Sequence, residues 1–260
     1  MRIDTFKVEE WFNEYEKTAK YDLADTCIDS MSVNELLELA KINNIDEILS
    51  KKLTYGDIQG STRLKSAISN LYQKQGLNNI TVTHGAIGAN QLVYLSLVEP
   101  DDEVISILPA YQQHYSIPKS LGANVKHLFL RPENNWLPDI EELKRLVTSK
   151  TKLICLTNPN NPTGSVVPDD LMKEIISVGN GSYILSDEVY RGLVRKDIYN
   201  TTSIVDLYEK GIATSSLSKG FSLAGLRLGW IVANEKIIDE IKRALDEGAE
   251  LILCTGGMSV

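Results

Sequence analysis

Hydrophobic and polar positions change their rhythm near Asn79: the residues before it are polar and helical in pattern, and those after it alternate short apolar runs with amphipathic stretches. NITVTH (79–84), EVISIL (103–108), NVKHLFL (124–130), KLICLT (152–157), YILS (183–186) and IATSS (212–216) predict strands. Several are apolar without interruption, as in parallel sheets covered on both faces. ANQLVYLSLV (89–98), DIEELKRLVTS (139–149) and DDLMKEIISVG (169–179) predict helices, the last two entered through Pro138-Asp139 and Pro168-Asp169-Asp170. Strands and helices in alternation build βαβ units, so the expected fold is a three-layer α/β/α domain with a mostly parallel sheet. LRLGWIVAN (226–234) follows the strand before it too closely for a helical crossover and is expected to be the one antiparallel strand.

Ligands of such sheets bind beyond the carboxyl ends of the strands, which makes the residues after each strand the candidate site. HGAIGAN (84–90) brings two glycines to a helix start, where free backbone N–H groups can cradle an anion. In TNPNNPTG (157–164), prolines on either side of Asn160-Asn161 stiffen the backbone and Gly164 permits a positive φ, so Asn161 should be rigidly presented. SDEVYRGL (186–193) places Asp187 at a strand end with Tyr190 on the same side if a helical turn begins there, while Glu188 and Arg191 read as surface charge. SSLSKGFSLAGLRLGW (215–230) adds Ser216, Ser218, Lys219 and Arg227. Singly, Lys219 could be a solvated loop lysine and Arg227 the polar end of a strand.

Composition narrows the partners. A chain of 260 residues with 43% hydrophobic content can bury a large core. With 24% charged residues, a net charge of −8 and no basic run, nucleic acid is not an expected partner and a small molecule is. The opening MRIDTFKVEEWFNEYEK has no apolar leader core, and no run reaches the roughly 18 apolar residues of a membrane span, so a cytoplasmic chain without a membrane partner is expected. Cys27, Cys155 and Cys254 are odd in number and outside metal-ligand spacing, which suits a reducing compartment. His84, His114 and His127 have no mutual spacing for a metal or a triad and read as structural or surface residues.

One cofactor would use the amine, the carboxylate, the arginine and the anion cradle together: pyridoxal 5′-phosphate (PLP). Through Y-G-D-x-Q-G, N-P-x-N-P-T-G, S-D-E-V-Y and S-x-S-K-x(7)-R, the chain resembles the fold-type I PLP enzymes, specifically the class I/II aminotransferases, from about Tyr55 onward. The resemblance implies a PLP-transferase-like large domain in which Lys219 forms the Schiff base and serves as general base and acid. It implies Asp187 against the ring nitrogen, and Asn161 and Tyr190 on the ring's phenolic oxygen. Ser216, Ser218, Arg227 and the backbone of Gly85, Ala86 and Ile87 would hold the phosphate. Tyr111, with Tyr115 as its rival, would stack on the ring. Tyr55 would reach the neighbouring subunit's phosphate, making a homodimer the expected assembly.

The implied organisation is an N-terminal helical segment (1–50) contributing to a small domain and the substrate pocket, a large PLP-binding domain (51–245), and the start of an interdomain helix (246–260). No residue matches the arginine that binds the substrate α-carboxylate in the family, whose C-terminal small domain is absent, so a fragment of a longer protein is expected. The implied reaction moves an amino group between an amino acid and a 2-oxo acid. Two alternatives stay open: a PLP-dependent lyase or cyclase, to whose capreomycidine-synthase-type members the N-terminal stretch and LRPENNW (130–136) are similar, and a non-catalytic PLP-binding module.

Overall fold

A computed structural model describes residues 3–24, 26, 28–193 and 201–243. Cys27, Cys254, the apolar AELILC stretch (249–254) and the expected interdomain segment (246–260) lie outside the described residues. Seven strands, β1 (Ile80–His84), β2 (Glu103–Leu108), β3 (Asn124–Phe129), β4 (Thr151–Thr157), β5 (Tyr183–Asp187), β6 (Gly211–Ser216) and β7 (Leu228–Ala233), form one sheet in the order β1-β7-β6-β5-β4-β2-β3. Each expected strand is present within two residues of its predicted ends. β2 to β6 pair in parallel, and β7 runs antiparallel to both β1 and β6. The loop from β6 to β7 holds only a short 3₁₀ turn, Ala224–Leu226, too little chain to return to the opposite edge of the sheet.

The helices α1 (Lys7–Tyr15), α2 (Val33–Leu39), α3 (Asp46–Leu49), α4 (Thr62–Ser69), α5 (Gly85–Leu97), α6 (Gln113–Ser120), α7 (Ile140–Leu146), α8 (Asp169–Val178) and α9 (Ile204–Leu207) accompany the sheet, and residues 235–243 after β7 are helical as well. Alternate strand residues feed two cores, as the two-residue period of a strand requires. Ile105, Ile154, Ile184 and Trp230 pack with Ile68 of α4, Leu143 of α7, Met172 and Ile175 of α8 and Ile204 of α9. Val104, Leu153, Leu185 and Ile231 pack with Leu92 and Val93 of α5 and Ile117 of α6 on the opposite face. This is the three-layer arrangement the alternation implies. No helix among the described residues is long and apolar enough to cross a membrane.

Three local expectations change. α5 begins at Gly85 and not at Ala89, so the glycine-containing motif is itself the first helical turn. The stretch around LPAYQQHYS contains α6, whose periodicity is masked by buried polar residues Gln113, His114 and Ser116 and by Pro118. Glu188 is not surface charge. It is 3% exposed, its Oε1 accepts from the Ser203 hydroxyl and the Ile204 N–H at 3.0 Å each, and Arg191 Nη1 lies 3.7 Å from its Oε2. Arg191 also covers the Tyr72 ring, whose hydroxyl accepts from Trp230 Nε1 at 2.9 Å. Burial pushes the Glu188 carboxyl up to about 7, against the pull of Arg191.

Gly229 lets β7 pass the β1–α5 junction at close range: a Cβ there would overlap the carbonyl of Gly85 and the N–H of Ala86. Gly229→Ala should therefore cost about 1–3 kcal/mol, as overpacking does; an unchanged midpoint in urea unfolding would show that the junction yields freely. Glu188→Gln tests the buried carboxyl. A folded value near 7 against 4.5 unfolded means that the stability linked to this group is full below about 4.5 and is lost as pH rises to about 7. Glutamine does not titrate, so wild type should lose stability relative to the variant over that window, by an amount on the order of 3 kcal/mol. A stability difference that stays flat from about pH 4 to about pH 8 would contradict this placement.

Candidate active site at the carboxyl edge of the sheet

The carboxyl ends of β1, β2, β4, β5 and β6 and the start of β7 bring the expected residues to one edge of the sheet. Asp187 closes β5 and is 5% exposed. Its Oδ2 accepts from Asn90 Nδ2 at 2.8 Å, and its Oδ1 accepts from the Val189 N–H at 3.2 Å. His114 Nε2 lies 3.3 Å from the same Oδ2, an ion-pair distance without hydrogen-bond alignment, while its Nδ1 meets the Tyr94 hydroxyl at 2.9 Å. The chain after Asp187 makes consecutive tight turns, Arg191 N–H to Glu188 carbonyl and Leu193 N–H to Tyr190 carbonyl, and not the helix start that would have set Tyr190. Tyr190 still arrives beside the amine: Lys219 Nζ is 6.0 Å from its ring centroid. That ammonium also donates to Thr26 Oγ1 at 3.1 Å, so the N-terminal segment touches the Lys219 loop, as does the Met31 N–H bonded to the Ser222 carbonyl.

The loop after β4 is held by Asn160. Its N–H donates to the Ser165 carbonyl, its carbonyl accepts from Gly164 at φ 70°, and its side-chain amide donates to Pro109 and Thr163. Asn160 thus takes the scaffolding role, and Asn161 beside it is half-buried.

A second group of residues gathers where α5 begins. Gly85 adopts φ 69°, and a Cβ on it would come within 2.6 Å of Arg227 Nη2, so the guanidinium rests directly over the helix start. The Ala86 and Ile87 N–H groups belong to a first turn that has no intrahelical acceptor for them. Arg227 sits at φ 49° and is steadied by donation from Nη1 to the Ala224 carbonyl at 3.0 Å. Ser216 is buried and its hydroxyl accepts from the Ser218 N–H at 3.2 Å, which pins the start of the Lys219 loop. The guanidinium and the open helix N–H groups meet here, a set of donors that can hold an anion.

Tyr111 and Tyr55 differ from the rest. The Tyr111 hydroxyl donates to Glu9 Oε1 at 2.8 Å, and its ring meets Phe6 edge-on at 5.6 Å. Burial, joined by the Glu9 carboxylate, pushes this phenol well above its usual range. Its neighbour Gln112 accepts from the Lys7 N–H and donates to the Thr5 carbonyl, tying α1 to the loop after β2. Tyr115 instead pairs with the His127 ring at 6.0 Å. Tyr55 is fully exposed and touches none of the other site residues.

Asn90, Tyr94 and His114 escaped the sequence reading. His84 and His127 are exposed, but His114 is buried directly behind Asp187. The available signal was polarity out of place: an asparagine inside the apolar run ANQLVYLSLV and a histidine flanked by buried polar residues.

Residues 29–249 match the model of the family described as aminotransferase class I and II. An aspartate aminotransferase of Pyrococcus horikoshii is 35% identical over 191 residues, 71% of this chain and 49% of that protein. A capreomycidine synthase of Streptomyces vinaceus is 27% identical over 245 residues, 92% of this chain and 62% of that protein. The chain spans about half the length of the curated relatives it matches. Among solved structures, a PLP-dependent aminotransferase from Streptococcus suis superposes with a TM-score of 0.90 at 44% identity, over 95% of this chain and 67% of that one. The PLP-dependent cyclase OrfR shares the fold, with a TM-score of 0.85 at 22% identity over 97% of this chain and 68% of that one. With the family model matched over most of its length, the chain belongs to the class I and II aminotransferases.

Proposed function

We propose that this chain is the cofactor-binding part of a PLP-dependent aminotransferase that moves an amino group between an amino acid and a 2-oxo acid. The observation that carries the reading is the joint presence, at one sheet edge, of the Lys219 amine, the buried Asp187 carboxylate and the Arg227 guanidinium over the start of α5. PLP is the cofactor that membership in this family implies. The residues present fit it: the space that a Cβ on Gly85 would fill is already taken by Arg227, so guanidinium and helix N–H groups converge on one anion position. When bound, PLP supplies an aldehyde for an amine and a ring that draws electrons from the substrate's Cα–H bond.

Each residue then has a defined task. Arg227, Ser216, Ser218 and the backbone of Gly85, Ala86 and Ile87 would anchor the phosphate. Asp187 would hold a proton on the ring nitrogen, and its burial keeps water from competing for that contact. Asn161 and Tyr190 would donate to the ring's phenolic oxygen. The Lys219 amine would hold the cofactor and, once displaced, carry the proton from the substrate Cα to the cofactor carbon. The proximity of Glu9 and Phe6 to Tyr111 supports a part for the N-terminal helical segment (1–50) in the substrate pocket, beside a large domain over 51–245. Tyr55, exposed and apart from the other site residues of its own chain, fits completion of a partner's site in a homodimer, and the acidic composition fits a cytoplasmic enzyme.

A second reading, cyclisation or elimination, is favoured by one observation: the similarity to capreomycidine synthase runs over 92% of this chain, N-terminal segment included. Reduction of the PLP-loaded chain with borohydride should place a pyridoxyl group on Lys219, read by peptide mass spectrometry. Lys219→Ala should lose the label and lower turnover by about a hundredfold to ten-thousandfold while keeping its unfolding midpoint. Labelling elsewhere, or turnover retained by the variant, would contradict the assignment. Formation of a 2-oxo acid that depends on an added acceptor identifies transamination; ammonia release without an acceptor identifies the second reading.

A further inference from the structure

We propose that Asn90 is a positioning residue for Asp187, oriented by Thr214, and that through it α5 sets the carboxylate in register with the anion cradle. The inference rests on the reading of Asp187 as the partner of the PLP ring nitrogen.

Asn90 and Thr214 are 1% and 0% exposed, so water cannot share their hydrogen bonds. Asn90 Nδ2 donates to Asp187 Oδ2 at 2.8 Å, and Asn90 Oδ1 accepts from Thr214 Oγ1 at 2.6 Å. The orientation of the amide follows from charge. Turned over, its carbonyl oxygen would face the carboxylate and its NH₂ would face the hydroxyl, trading an attraction for a repulsion in a dry layer. Thr214 lies on β6 and pairs with Asp187 of β5 across the sheet, so the hydroxyl is fixed by the same ladder that fixes the carboxylate.

A carboxylate has about four lone-pair positions. Asn90 takes one on Oδ2 and the Val189 N–H takes one on Oδ1. These two directed bonds stop the carboxylate from turning about its bond to Cβ, which leaves its remaining positions aimed in a fixed direction. The helix adds a second constraint. Ala86, in the cradle, and Asn90 are four residues apart in α5, hence on one face and about 6 Å apart along the axis. One rigid helix therefore carries both the phosphate donors and the group that sets the carboxylate, and a cofactor holding both ends is measured against it.

The test is PLP affinity of the 260-residue chain, read by fluorescence titration, together with an analogue that carries CH in place of the ring nitrogen. Asn90→Leu should weaken PLP binding about tenfold or more, the loss of one hydrogen bond to a charged group. Thr214→Val, which keeps shape and removes only the orienting hydroxyl, should weaken it in the same direction and by less, and serves where Asn90→Leu unfolds. Neither variant should change affinity for the analogue, and neither should add to the loss already caused by Asp187→Ala. Equal losses for PLP and the analogue, or losses that add to that of Asp187→Ala, would reduce Asn90 to packing and overturn the proposal. Wild-type affinity in both variants would overturn it as well. If the wild-type chain itself binds no PLP, the cofactor reading falls and this inference falls with it.

Discussion

The antiparallel insertion of β7 between β1 and β6 is the constraint on which the site depends. Every parallel strand delivers its carboxyl end to the functional edge, and only a strand running the other way can deliver its beginning there. Arg227, the residue before β7, therefore arrives where β1 ends and α5 begins. The approach is close enough that Gly229 has no room for a side chain. The two backbones converge until the guanidinium lies over the open N–H groups of a helix. The arginine and the helix start are thus brought together by one topological feature, the reversed direction of β7.

Beneath that edge lies a polar layer with little access to water: Asp187, Asn90, Thr214, His114 and Tyr94. Burying such groups is costly unless their hydrogen bonds are satisfied, and most here are. Asp187 takes two directed donors, Asn90 uses both ends of its amide, and Tyr94 meets His114. The arrangement stiffens the floor of the site, because any rotation of one member leaves another unpaired in a dry environment. On the opposite face, Glu188 plays a comparable part for the chain after β5. It joins the Ser203 hydroxyl and Ile204 N–H to the turn that carries Tyr190, and it accepts a raised pKa in return.

Much of this was legible in the sequence where a single local rule decides the outcome. Uninterrupted apolar runs mark parallel strands, and the shortness of the 217–227 connection was enough to reverse β7. The motif residues at strand ends followed from where such sheets bind ligands. What escaped depends on tertiary context. Nothing local distinguishes the exposed His84 from the buried His114, since only the packing of α6 against α5, β2 and β3 brings His114 to Asp187. Glu188 resembles any charged turn residue until the segment from Thr201 folds back and supplies donors to it. α6 hides its period because three of its inward residues are polar and one is proline.

The N-terminal segment follows a different logic from the sheet. α1 is 9 residues long and buries none of them, so helix propensity and core packing give it little support of their own. Its attachment runs through the loop after β2: Phe6 against Tyr111, Glu9 on the Tyr111 hydroxyl, and Gln112 clasped by Lys7 and Thr5. Tyr111 thus joins the loop after β2 to the first helix through one side chain. The tie of α1 to the loop after β2 therefore rests on three directed hydrogen bonds and one ring contact, all gathered on two adjacent residues, Tyr111 and Gln112.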